Sequence, residues 1–128
     1  MRIEITSDDD IVTSRTMAKD LAQKLGFGIV DQTKIATAIS ELTRNVVKYA
    51  DEGILNIETV SQAGRVGIEL ICEDRGPGIE DIEQAMQEGY STGKGLGMGL
   101  CGAKKLMDEF EVTSEKGKGL RVTVRKWL

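Results

Sequence analysis

The chain has no histidine, two cysteines, one proline, and only two Phe, two Tyr and one Trp in 128 residues. Without histidine or a third cysteine, a zinc centre has no ligand set. Cys72 and Cys101 each sit inside an apolar periodic run and read as reduced core residues. The start, Met1-Arg2-Ile3-Glu4, lacks the layout of a signal peptide, and no apolar run approaches the ~18–20 residues of a membrane span. A soluble, cytoplasmic protein with no membrane partner is expected. The few aromatics and the net charge of −4 are also a poor footprint for nucleic acid, which needs basic patches and stacking platforms. A protein or small-molecule partner is expected instead. The length suits one domain, residues 1–128, with a core that buries about two-thirds of the unfolded surface.

Glycine, in contrast, is plentiful, and four glycines recur at every second position: Gly93, Gly95, Gly97 and Gly99. Each costs roughly 0.5–1 kcal/mol relative to alanine in a helix, so a compensating role is expected. Successive N–H groups with no Cβ in the way can turn toward phosphate oxygens, and a helix starting just downstream adds its positive end. The pattern Leu100, Ala103, Leu106, Met107, Phe110 predicts such a helix, from about Leu100 to Glu109.

Arg2–Thr6 alternates like a short strand, and Ser7 to Asp10 offer caps for a helix carrying Ser14, Ala18, Leu21 and Leu25 and ending at Gly26. A second helix is predicted with Asp31 as N-cap, a staple between Val30 and Ile35, and a stripe of Ile35, Ala38, Ile39, Leu42, Val46 and Tyr49. Glu41 and Asn45, four apart, lie roughly 40° from each other at the edge of that stripe, facing a cleft. Gly53–Val60 and Val66–Asp74 read as strands of a hairpin across Ser61 to Gly64, and Asp74 shares the parity of Val66, Ile68, Leu70 and Cys72. A short helix with Ile82, Ala85 and Met86 follows, and a second hairpin, Glu111–Ser114 and Leu120–Trp127 across Lys116 to Gly119, closes the chain. The order β-α-α-β-β-α-α-β-β suggests an α/β sandwich, a mixed, mainly antiparallel sheet with helices on one face.

Singly, these motifs have plainer readings. Glu41 and Asn45 fit a solvated helix face, Asp74-Arg75-Gly76-Pro77-Gly78 fits a type II turn, and the glycine run fits a flexible linker. A dinucleotide fingerprint fails on context, since its glycines must follow a strand directly, and Lys94 does not keep P-loop spacing. The joint order changes the odds. Glu-x-x-x-Asn on a helix, Asp-x-Gly-x-Gly after a strand, then Gly-x-Gly-x-Gly before a helix resembles the ATP-binding domain shared by gyrase-type topoisomerases, Hsp90, histidine kinases and MutL. The fold it implies is the Bergerat type.

That resemblance implies ATP and Mg2+ as cofactors, with Glu41 as general base, Asn45 as magnesium ligand and Asp74 as acceptor from the adenine amino group. It further implies that Gly76, Gly78 and Ile79 form the turn beneath the base, and that Gly93 to Gly99 form a phosphate lid. Nucleotide contacts are implied for Gly95, Leu96, Gly97, Met98, Gly99 and Leu100, and Lys94 is either a γ-phosphate contact or an exposed lid lysine. The segments ISELTRNVVKYA, GLGMGLCGAKKLMDEFEV and EKGKG resemble, more narrowly, the small stand-alone serine/threonine kinases of bacterial anti-sigma-factor and stressosome switches. Such a resemblance implies phosphorylation of STAS-domain scaffold and antagonist proteins, then release to bind and activate a PP2C-type phosphatase. A nucleotide-gated adaptor without catalysis, or an ATPase of the same fold, are the rival readings. With no histidine, the chain cannot contain an autophosphorylating histidine kinase. One departure is Leu120, where such kinases commonly place threonine; if that hydroxyl helps hold adenine, weaker nucleotide affinity is expected.

Overall fold

The computed structural model describes residues 1–50, 52–76, 96–115 and 119–128. The alternating segment Arg2–Ile5 forms β1, and Ser7 caps helix α1, Asp8–Leu25. Asp10 reaches back over that first turn and accepts from the backbone N–H of Thr6 (2.8 Å) and Ser7 (3.1 Å). Those bonds, the Thr6 N–H foremost, hold its carboxyl below the usual range.

Helix α1 ends at Gly26, and Phe27 turns into the core. Helix α2 then runs from Ile29 to Tyr49 with Gly28 as its N-cap, three residues earlier than expected. Asp31 lies in the first turn instead of capping it, and Val30 is exposed, so no staple to the buried Ile35 forms. The cause is the short connection: with Phe27 buried and the Gln32 amide bonded to the Phe27 carbonyl at 2.8 Å, the chain has to enter α2 at once. The stripe from Ile35 to Val46 is buried as expected.

Strands β2, Gly53–Gln62, and β3, Arg65–Asp74, pair through a turn of only Ala63 and Gly64, both left-handed at φ 52° and 79°. Helix α3 spans Leu96–Leu106, so it starts and stops before the expected limits. Its end is fixed by the sheet, because Glu109 already pairs with Arg125 and the Asp108 N–H donates to the Arg125 carbonyl at 2.9 Å. Strands β4, Glu109–Glu115, and β5, Gly119–Trp127, complete a sheet ordered β1-β2-β3-β5-β4. All four pairings are antiparallel, so the expected mixed sheet is not seen among the described residues. The expected helix with Ile82, Ala85 and Met86, and the turn at Lys116 to Lys118, lie outside those residues, as does the Tyr49 side chain.

The helices cover one face of the sheet. Ile57, Ile68, Leu70 and Val124 are fully buried against Ala18, Ile39, Leu42 and Leu100. Val66, of the same parity, is exposed because it sits at the hairpin end of the sheet, next to the 63–64 turn. Cross-strand pairs lace the opposite face, with Arg125 bonded to Glu69 at 2.7 Å and Glu109 at 3.2 Å. Cys72 and Cys101 are free thiols, and burial pushes Cys72 up to about 12. Among the described residues no helix is long and apolar enough to cross a membrane.

Ala63 carries a Cβ in a left-handed turn, which costs a non-glycine residue roughly 1–2 kcal/mol. Asparagine tolerates that backbone without loosening the unfolded chain, so Ala63→Asn is expected to stabilise by about 0.5–1 kcal/mol in urea melts. A loss of stability would contradict the turn described.

Candidate active site

Three elements meet where β3 leaves the sheet and β5 enters it. Asp74 closes β3 and is partly buried, and its Oδ1 accepts from the backbone N–H of Gly76 at 2.9 Å and of Leu120 at 3.2 Å. Oδ2 has no partner among the described residues. Burial pushes this carboxyl above its ordinary value of 3.8, while the two N–H groups pull the other way. A carboxylate held by backbone on one oxygen, with the other free, is an acceptor for a donor group on a ligand.

Close backbone approach makes this corner. A Cβ on Gly119, whose φ is 102°, would stand 2.1 Å from the Asp74 carbonyl oxygen. One on Gly76 would stand 2.7 Å from the Ala50 Cβ, so the C-terminal end of α2 rests on the turn after Asp74. Val46 belongs to the same corner: a Cβ on Gly53, beside Asp74 in the register, would meet its Cγ1 at 2.8 Å.

Asn45 adjoins Val46, and its Nδ2 is buried without a hydrogen-bond partner among the described residues. Leaving a buried polar atom unpaired costs about 1–3 kcal/mol, so this amide points to a missing ligand. A half-turn about its last bond exchanges Nδ2 for Oδ1. Magnesium takes hard oxygen donors, keeps several waters and binds mainly through substrate phosphates, so one amide oxygen is a sufficient protein ligand and the residues present fit Mg-ATP. Glu41, one turn earlier and partly exposed, accepts from the Arg44 guanidinium at 3.1 Å.

The glycine run enters α3, which packs on α2. Its last two glycines, Gly97 and Gly99, lie in the first helical turn with Leu96 and Met98, where four N–H groups have no intrahelical partner. Leu100 is fully buried and anchors the helix in the core. Gly78, Ile79, Gly93, Lys94 and Gly95, and the side chains of Leu96 and Met98, lie outside the described residues. A cavity of about 290 Å³ also opens beside Asp74, but Glu4, Glu52 and Glu73 line it against the single cation Arg75 and would repel phosphate.

The structure therefore brings Asp74 and Gly76 to one corner with the end of α2, through Val46 and Ala50, and carries Asn45 and Glu41 on that same helix, one turn apart. Sequence reasoning missed Gly119 and the backbone of Leu120 as parts of the site. Leu120 stands out for its missing hydroxyl, yet its side chain is buried in the core and its N–H is what reaches Asp74. The available signal was Gly119 itself, a glycine opening a strand.

Because the folded-state pKa of Asp74 is raised, the native protein binds the extra proton in the window above 3.8. This carboxylate therefore lowers stability at neutral pH, a cost that fades as pH falls through the raised pKa. Asp74→Asn removes the charge and keeps an acceptor for both N–H groups, so its melting temperature at pH 7 should equal or exceed wild type. Its affinity for adenine nucleotide should fall about 10–100-fold, the worth of a hydrogen bond to a charged group, and wild-type binding should weaken in acid as Asp74 protonates. Thermal melts with titration calorimetry check this; a destabilised variant with undiminished binding would contradict it.

Residues 30–128 match the family described as histidine kinase-, DNA gyrase B-, and HSP90-like ATPase. The chain is 48% identical to the serine/threonine-protein kinase RsbT of Bacillus subtilis (strain 168) over 126 residues, covering 98% of this chain and 95% of that one. It is 36% identical to the anti-sigma F factor of Thermoanaerobacter sp. (strain X514) over 121 residues, covering 90% and 83%. Among solved structures, the RsbU and RsbW domains of Rv1364c from Mycobacterium tuberculosis align with a TM-score of 0.63 at 21% identity, covering 98% of this chain and 32% of that one. The catalytic domain of the histidine kinase ThkA aligns at 0.55 and 16% identity, covering 98% and 95%. At such identities the structures speak for the fold alone, whereas the sequence matches span most of the chain, and the protein belongs to the histidine kinase-, DNA gyrase B- and HSP90-like ATPase family.

Proposed function

We propose that the protein is an ATP-dependent serine/threonine kinase of a bacterial partner switch. It phosphorylates STAS-domain scaffold or antagonist proteins and, once released from them, binds and activates a PP2C-type phosphatase in the cytoplasm. The Asn45 amide, unpaired among the described residues, carries this reading, since it lies one turn from Glu41 on the helix whose end rests on the corner built around Asp74. Support for transfer to a protein hydroxyl comes from the similarity to RsbT, and support for a sigma-factor switch from the anti-sigma F relative.

The roles follow from each residue's chemistry. Asp74 selects adenine by accepting from its amino group through Oδ2, while Oδ1 stays tied to Gly76 and Leu120. Asn45 would hold the magnesium of Mg-ATP, and that ion would neutralise phosphate charge. The N–H groups of the first turn of α3 orient the phosphates, with Lys94 as a γ-phosphate contact. Glu41 takes the proton from the substrate hydroxyl, and Arg44, already bonded to it, keeps its carboxylate oriented. Phosphoryl transfer asks little beyond such positioning and charge neutralisation.

Losing the base should slow transfer by about 10²–10⁴-fold, the usual worth of general-base catalysis, with nucleotide affinity nearly unchanged. Radiolabel transfer from ATP to a STAS-domain protein by Glu41→Gln measures it. Wild-type transfer by that variant would remove Glu41 from the mechanism, and phosphate release with no protein acceptor would favour an ATPase.

A further inference from the structure

Strand β5 alternates Leu120, Val122 and Val124 into the core, and the next position of the same parity is a lysine. Lys126 is 7% exposed, and its ammonium has two hydrogen-bond acceptors at the end of α3 and a further carboxylate neighbour on α2. It donates to the Leu106 carbonyl, the last of α3, at 3.1 Å and to Asp108 Oδ1 in the following turn at 3.4 Å. Asp31, in the first turn of α2, lies 3.9 Å away. Asp108 is fixed in turn by the Trp127 N–H at 2.7 Å.

A buried ion pair is a weak source of stability, and well-packed apolar residues often serve a core as well or better. What Lys126 supplies is geometry. A cation at a helix C-terminus is favourable, and this one ties the end of α3 to the start of α2. The two helices run antiparallel from that point, and their other ends carry Asn45 and the first turn of α3. Over its 11 residues α3 is a lever of about 17 Å, so a small tilt at Leu106 displaces the N–H groups of residues 96–99. The adenine corner touches α2 only at its far end and lies well away from Lys126 along the sheet. Lys126 pairs with Ile68, six residues and about 20 Å along β3 from Asp74.

We propose that Lys126 is a positioning residue for the phosphate half of the site, setting α3 against α2 from their far ends while leaving base recognition alone. This rests on the nucleotide reading above. It is tested by titrating wild type, Lys126→Met and Lys126→Arg with Mg-ATP and separately with adenosine. Lys126→Met is expected to lose about 5–20-fold in ATP affinity, as for weakened hydrogen bonds to charged phosphates, and less than about twofold for adenosine, with Lys126→Arg recovering most of the loss. Asp31→Asn, an exposed change that weakens only the α2 end, should show the same selectivity at about two- to threefold. Unchanged ATP affinity in both variants, or equal losses for ATP and adenosine, would overturn the proposal. A wild-type protein that bound neither ligand would instead sink the nucleotide reading.

Discussion

A half-buried carboxylate shared between two backbone N–H groups organises one end of this molecule. Asp74 cannot be held that way unless the turn after β3 and the first residue of β5 come within backbone contact, which only glycine at 76 and 119 allows. The same packing seats the end of α2 against the corner through Ala50 and Val46. Burial works against the charge, and the bonds on Oδ1 offset only part of that penalty, so the group is kept at a cost to the fold. A fold that retains a disfavoured charge, and on the helix packed against it a buried amide nitrogen with no partner among the described residues, is shaped for something it binds.

Division of labour follows from direction. The sheet delivers Asp74 at the end of β3, the acceptor proposed for the base, while α2 and α3 carry the groups proposed for phosphate and metal in the helix layer. Two rigid layers can thus be tuned separately. Lys126 sits where that tuning would act, at the far ends of the two helices, in a core position that an apolar residue could otherwise fill.

Much of the fold was legible because its signals are local. Alternation in β3 and β5 and the stripe of α2 gave elements close to those observed, and the parity of Asp74 with Leu70 and Cys72 placed it at the helix-covered end of the sheet. Boundaries slipped where a distant contact decides them. Asp31 looked like a cap, but burial of Phe27 starts α2 sooner, and Glu109 looked helical, but Arg125 claims it for the sheet. In the site, the joint order of three motifs, and the family resemblance it carries, pointed to Glu41, Asn45 and Asp74. Contacts made by backbone were hidden: nothing in the letter L at position 120 announces an N–H bonded to a carboxylate 46 residues away. Lys126 was readable in principle, as a charge in step with three apolar residues.

The central claim is that the Asn45 amide and the Asp74 corner belong to one nucleotide site. The most direct measurement is an NMR titration with magnesium and a non-hydrolysable ATP analogue, following the Asn45 side-chain amide and the backbone N–H groups of Gly76 and Leu120. All three signals should move together and saturate at one ligand concentration. An Asn45 amide that stayed in place while Gly76 and Leu120 shifted, or no shift at any of them, would contradict it.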